Sequence, residues 1–107
     1  MINNDLHLDL LRRLELNPKY TQRELSQELG VSLGKINYCL KKLSEKGLVK
    51  MRRFQKSDNK RAYAYLLTLE GIDQKGKLTI DFLQSKVQEY EILEREILLL
   101  KEEIEGQ

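Results

Sequence analysis

Leucines stand at 6, 10 and 14, with Leu11 beside them, over the stretch from Asp5 to about Leu16. The i, i+4, i+8 spacing places them on one stripe of an α-helix, the stripe that packs into a core. Asn4 stands where an N-cap is expected. Asn17-Pro18 ends the helix, because the residue before proline is pushed out of the α region. His7 lies on the same face as Leu11 and Leu14 and reads as a partly buried structural histidine.

Thr21-Gln22-Arg23-Glu24 has capping-box spacing: the Thr hydroxyl accepts from the Glu24 N–H while Glu24 reaches back. Leu25 and Leu29 form the apolar side of this short helix, and Gly30 suits the left-handed conformation that closes it, with Val31 packing on Leu25. Ser32 then caps a third helix running to about Lys46, in which Ile36, Cys39, Leu40 and Leu43 fall on one face. Gly34, Lys35, Asn37, Tyr38, Lys41, Lys42 and Glu45 fall on the other, and Gly47 closes the helix with Leu48 against Leu43. Two short helices joined by a tight glycine turn make a helix-turn-helix.

From Leu48 the period changes. Residues 48–54 (LVKMRRF) and 61–67 (RAYAYLL) are β-branched, aromatic and alternating, and the polar QKSDNK lies between them. Tyr63, Tyr65 and Leu67 share one side, and Tyr63 and Tyr65 read as core residues rather than base-stacking ones. A hairpin directly after a helix-turn-helix is the wing of a winged helix. Thr68 caps a last helix from about Leu69 towards Glu105, whose start Gly71 and Gly76 weaken by ~1 kcal/mol each relative to alanine, so a bend is expected there.

Past Ile80 a heptad emerges. Leu83, Tyr90, Ile97 and Ile104 fall at a, Leu93 and Leu100 at d, with Lys86 at the earlier d. Those positions span ~33 Å of helix. Phe82, Val87, Ile92, Leu98 and Leu99 widen the stripe beyond a strict two-strand seam, and little chain remains to cover it. The expected interface between two copies is Leu83, Val87, Tyr90, Leu93, Ile97, Leu100 and Ile104. The fold class is therefore mostly α with a small β-hairpin: a winged helix-turn-helix at 1–68, then a long C-terminal dimerisation helix at 69–107.

Composition narrows the function. The chain has 107 residues, enough for one small core and an extension. A net charge of +2 hides an asymmetry: residues 1–61 carry 14 Lys/Arg against 7 Asp/Glu, residues 62–107 carry 5 against 10. Within 34–61 the count is 10 against 2, a net of +8, which suits a polyanion. One cysteine, Cys39, and one histidine make neither a disulfide framework nor a zinc site, and Cys39 on the apolar face reads as a buried, inert thiol. No cofactor is expected. With no glycine-rich phosphate loop and no paired carboxylate motif, neither is an enzyme. No apolar run approaches ~18 residues and the first ten residues lack a basic, apolar leader, so a cytoplasmic protein without membrane attachment is expected.

Residues 25–71 resemble the MarR-type winged-helix transcriptional regulators. The likeness rests on the helix-turn-helix, the strand entry Glu45-Lys46-Gly47-Leu48-Val49, the wing turn Asp58-Asn59-Lys60-Arg61-Ala62 and the segment Leu67-Thr68-Leu69-Glu70-Gly71. The C-terminal run from Leu78 to Glu105 is similar to a short MarR-like subgroup associated with exopolysaccharide gene clusters. Lys60 stands where the family often has Arg, losing the planar fork, and Gly34 where a small polar residue is commoner. The resemblance implies double-stranded DNA as partner, and an Asp58 that orients Arg61. The family's dimer interface, built from both terminal regions around a pocket for small aromatic effectors, is here expected to be either missing or replaced by the heptad helix.

A helix enters the ~12 Å major groove with its N-terminal residues at the base edges. In helix 32–46 those are Ser32, Leu33, Gly34, Lys35, Asn37 and Tyr38. Asn37 matches adenine N6/N7, Lys35 guanine N7/O6, and Leu33 a thymine methyl. Tyr38, Lys41 and Lys42 are placed for phosphate, as is Thr21 at a helix N-terminus. In the wing, 55–61, Lys56, Lys60 and Arg61 lie along the minor groove or the backbone. Alone, Lys41, Lys42 and Lys46 would read as a solvated face; helix-turn-helix, wing and charge together favour DNA. The expectation is a homodimeric, sequence-specific regulator that represses by occupying an inverted-repeat operator. The alternative is a winged-helix protein-interaction adaptor whose coiled coil recruits another chain.

Overall fold

Side chains from three short helices meet with no exposure at all: Leu10 and Leu11 of α1 (Asn4–Leu16), Leu25 of α2 (Gln22–Leu29), and Ile36 and Leu43 of α3 (Leu33–Glu45). The computed structural model describes residues 4–55 and 61–106, with side chains from 5 to 53 and from 63 to 106. Helices of 8 and 13 residues are marginal alone, so this shared core holds them. Leu6, Leu14, Cys39 and Leu40 complete the helical part, and Val49 and Tyr65 from the hairpin close it. Leu8 is also buried, although the leucine stripe did not include it. Helix α1 already contains Asn4, so the expected N-cap residue lies inside the helix.

The Thr21 capping box forms as expected, with the Thr21 hydroxyl accepting from the Glu24 N–H at 3.0 Å and Glu24 Oε1 accepting from the Thr21 N–H at 3.1 Å. Gly30 closes α2 at φ 65° and Gly47 closes α3 at φ 74°. At the second, the Leu48 N–H reaches the Leu43 carbonyl (2.9 Å) and the Gly47 N–H that of Ser44 (3.0 Å), the paired bonds of a Schellman ending.

The hairpin pairs β1 (Val49–Gln55) with β2 (Arg61–Leu67) antiparallel, from Val49 opposite Leu67 to Gln55 opposite Arg61. Gln55, expected in the turn, belongs to the strand. The Tyr65 N–H donates to the Pro18 carbonyl (3.0 Å), tying the hairpin to the turn between α1 and α2. Tyr65 is core, at 7% exposure, but Tyr63 is not: it is 39% exposed, with the Arg53 guanidinium 5.6 Å from its ring centre. The two share a face, yet the ribbon has left the core by residue 63.

Helix α4 (Leu69–Glu105) runs unbroken for 37 residues from its Thr68 cap. Gly71 is buried against the Leu48 carbonyl, so its place there is set by close packing, and α4 does not break at either glycine. Lys75 pairs with Glu15 of α1 at 2.8 Å, Leu78 packs on the core, and Arg12 of α1 lies over the Phe82 ring at 5.9 Å. Beyond Phe82 every described side chain of α4 is exposed. The molecule is 71 Å long but only 27 by 25 Å across.

Candidate nucleic-acid interface

Burying Ile36, Cys39, Leu40 and Leu43 forces the opposite face of α3 outward. Ser32, Leu33, Gly34, Lys35, Asn37, Tyr38 and Lys41 are all exposed, Leu33 at 45% and Tyr38 at 53%. The Ser32 hydroxyl accepts from the Lys35 N–H at 3.1 Å, which fixes the first turn. Lys42 is half-buried: its ammonium lies 5.6 Å from the Tyr38 ring centre and 3.5 Å from Glu45 Oε2. Tyr38 and Lys42 thus act as one unit on the helix surface, and Glu45 offsets part of their charge.

Thr21 is half-buried at the start of α2, its hydroxyl engaged in the capping box. In the hairpin, Lys50, Arg52 and Arg53 extend the basic surface into β1, all three exposed. Arg61 begins β2, but its side chain, Lys56, Asp58 and Lys60 lie outside the described residues. The structure therefore brings together the α3 residues and the start of α2 on one side of the molecule.

Gln22 was not among the expected site residues. It donates through Nε2 to the Tyr65 hydroxyl (2.9 Å) and to Asn37 Oδ1 (3.3 Å), linking the hairpin to the exposed face of α3. Its place as the first residue of a capped helix carried no sequence signal beyond propensity, because its partners lie 15 and 43 residues away.

Two buried reactive groups lie inside this head. Burial pushes the Cys39 thiol up from its ordinary value, with nearby Lys35 opposing, and a thiol held neutral is a poor nucleophile. His7 is 4% exposed, its Nε2 has no hydrogen-bond partner, and burial, then the charge of Lys46, lowers its pKa.

The second candidate surface is on α4. Leu83 (61%), Tyr90 (65%), Leu93 (54%), Leu100 (58%) and Ile104 (76%) are exposed large hydrophobics, as are Val87 and Ile97. Tyr90 hydrogen-bonds to Glu94, which raises its phenol pKa. Lys86 pairs with Glu89 at 3.2 Å. A row of this size is far more apolar surface than a solvated helix carries. Among the described residues, no helix is long and apolar enough to cross a membrane.

A family model described as winged helix-turn-helix DNA-binding matches residues 3–50. Solved structures share the fold. The transcriptional regulator BldR from Sulfolobus solfataricus superposes with a TM-score of 0.62 at 25% identity, over 78% of this chain and 58% of that one. The MarR family transcription regulator SP03579 gives 0.63 at 22% identity, over 78% and 54%. FabT of Streptococcus pneumoniae, solved in complex with DNA, gives 0.56 at 24%, over 78% and 56%. The chain thus spans little more than half the length of these relatives. A comparison with curated protein sequences finds no match. The winged helix followed by a long helix that the sequence led one to expect is the fold found among the described residues, and these structures are similar to it.

Proposed function

We propose that this chain is a dimeric, sequence-specific regulator of transcription that binds double-stranded DNA and represses by covering its operator. The observation that carries the reading is the exposed face of α3, where Ser32, Leu33, Gly34, Lys35, Asn37 and Tyr38 stand at the N-terminal end with Lys41 behind them. A helix presented this way meets base edges with its first turns and phosphates with its flanks. Lys35 and Asn37 supply base contacts, while Lys41, Tyr38–Lys42 and the N-terminus of α2 at Thr21 contact phosphate. The family-model match over 3–50 supports DNA as the ligand. The wing, with Lys56, Lys60 and Arg61, follows the backbone or the minor groove.

Two copies pair through Leu83, Val87, Tyr90, Leu93, Ile97, Leu100 and Ile104. The helices run parallel in this reading, for two reasons. Parallel pairing keeps both heads at one end, whereas antiparallel pairing along ~33 Å of seam would carry them to opposite ends. In the parallel pair Glu96 meets Lys101 of the other copy, and the Glu89–Glu94 encounter is softened because Lys86 already pairs with Glu89. The Lys86 stem lies along the seam with its ammonium at the edge. Two heads related by a two-fold axis read an inverted repeat with half-sites ~34–36 Å apart or a multiple. Selection of bound sites from a random duplex pool, followed by footprinting, tests this: the expected product is an inverted repeat protected on both halves. A single unrepeated half-site contradicts the dimer, and failure to enrich any sequence contradicts specific reading.

A further inference from the structure

The cleft between α2, α3 and the hairpin holds a polar relay, Tyr65–Gln22–Asn37, of which the reading above uses only Asn37. The cleft has a volume of about 210 Å³, with Leu40, Met51 and Tyr65 among its walls and Gln22, Asn37 and Lys41 among its polar groups. Tyr65 is fixed at its base: the ring is 7% exposed and its backbone N–H donates to the Pro18 carbonyl. Gln22 is fixed by its position one residue past the Thr21 cap. Its single amide nitrogen donates one bond to Tyr65 Oη (2.9 Å) and the other to Asn37 Oδ1 (3.3 Å).

The two ends of a carboxamide are chemical opposites, one an acceptor and the other a double donor. Held by Gln22, Asn37 turns Oδ1 towards α2 and leaves Nδ2 pointing away from it. Released, the group rotates by half a turn at little cost and exchanges donor for acceptor. We propose that Gln22 is a positioning residue that fixes the orientation of the Asn37 carboxamide and so determines the base edge it reads. This rests on α3 entering the major groove. With Nδ2 leading, the edge read is an acceptor, purine N7 first, and the second lone pair of Oδ1 stays available to an adenine amino group. A glutamate at 22 has only acceptors when ionised: Tyr65 would donate to it, Asn37 would turn Nδ2 inward, and Oδ1 would lead.

The test is base selectivity at each operator position, measured by competition binding for wild type, Gln22→Ala, Asn37→Ala, the double variant and Gln22→Glu. Selectivity is a ratio within one protein preparation, so partial unfolding of a variant does not alter it. Gln22→Ala is expected to lower selectivity at the base pair that Asn37→Ala also affects, by about fivefold or more. The double variant should lose no more than Asn37→Ala alone, because the two residues act as a unit. Gln22→Glu should change the preferred base there, towards one offering an amino donor such as cytosine. Independent, additive losses, or an unchanged preference in Gln22→Glu, overturn the role of Gln22 while leaving DNA reading by α3 intact. A wild type without selectivity at any position overturns both.

Discussion

A Cβ placed on Gly71 would stand 2.1 Å from the carbonyl oxygen of Leu48. The same carbonyl accepts from the Thr68 N–H at 3.1 Å, and the Thr68 hydroxyl donates to the Gly47 carbonyl at 2.6 Å. The start of α4 is thus pressed onto the turn that ends α3. Gly71→Ala gains helix propensity and still destabilises, by about 1–3 kcal/mol, because backbone meets backbone and neither yields cheaply. Gly76 has nothing within 4 Å of such a Cβ, so Gly76→Ala stabilises by about 0.5–1 kcal/mol. Denaturant unfolding of the two variants checks the contrast; equal and favourable effects would mean that α4 does not sit on the head as described.

His7 makes stability depend on pH. Its folded pKa is lowered from the ordinary 6.5, first by burial and then by Lys46, so the folded state keeps the ring neutral where the unfolded chain takes up a proton. The stabilising effect is fully present above pH 6.5 and is lost as pH falls below that value towards the folded pKa. Melting temperatures measured from pH 8 to about 5.5 should fall for wild type and fall less for His7→Leu, which keeps an apolar side chain in the same site. Parallel curves for the two proteins would contradict a neutral buried ring.

Ile97 is 45% exposed near the middle of the free part of α4. Ile97→Asp therefore leaves the core of the head untouched and places a charge in the proposed seam. Sedimentation equilibrium should give twice 12.6 kDa for wild type and 12.6 kDa for the variant, with the head still folded by circular dichroism. A variant that stays dimeric would move the interface elsewhere.

Much of this was legible in the sequence because local chemistry specified it. The Thr21 box, the Ser32 cap, the glycine closures at 30 and 47, and the start of α4 after Thr68 depend on residues within five positions of each other. The exposed and buried faces of α3 followed from its period alone. What escaped depended on distance. Gly71 looked like a weak helix former because Leu48, which it touches, is 23 residues earlier. Tyr63 and Tyr65 alternate identically, and only the way the ribbon leaves the body separates exposed from buried. Gln22 showed no role until the fold set it between Tyr65 and Asn37.

The central claim is that the basic head binds duplex DNA through many phosphates. Fluorescence anisotropy of a mixed-sequence duplex titrated with the full chain at about 50 and 200 mM salt tests it most directly. Two docked heads imply six or more phosphate contacts, so affinity should fall by ~10³-fold or more between the two conditions. No binding at the lower salt would contradict the account: the charge on α3 and the hairpin would then be solvated surface, and α4 would serve to recruit another protein.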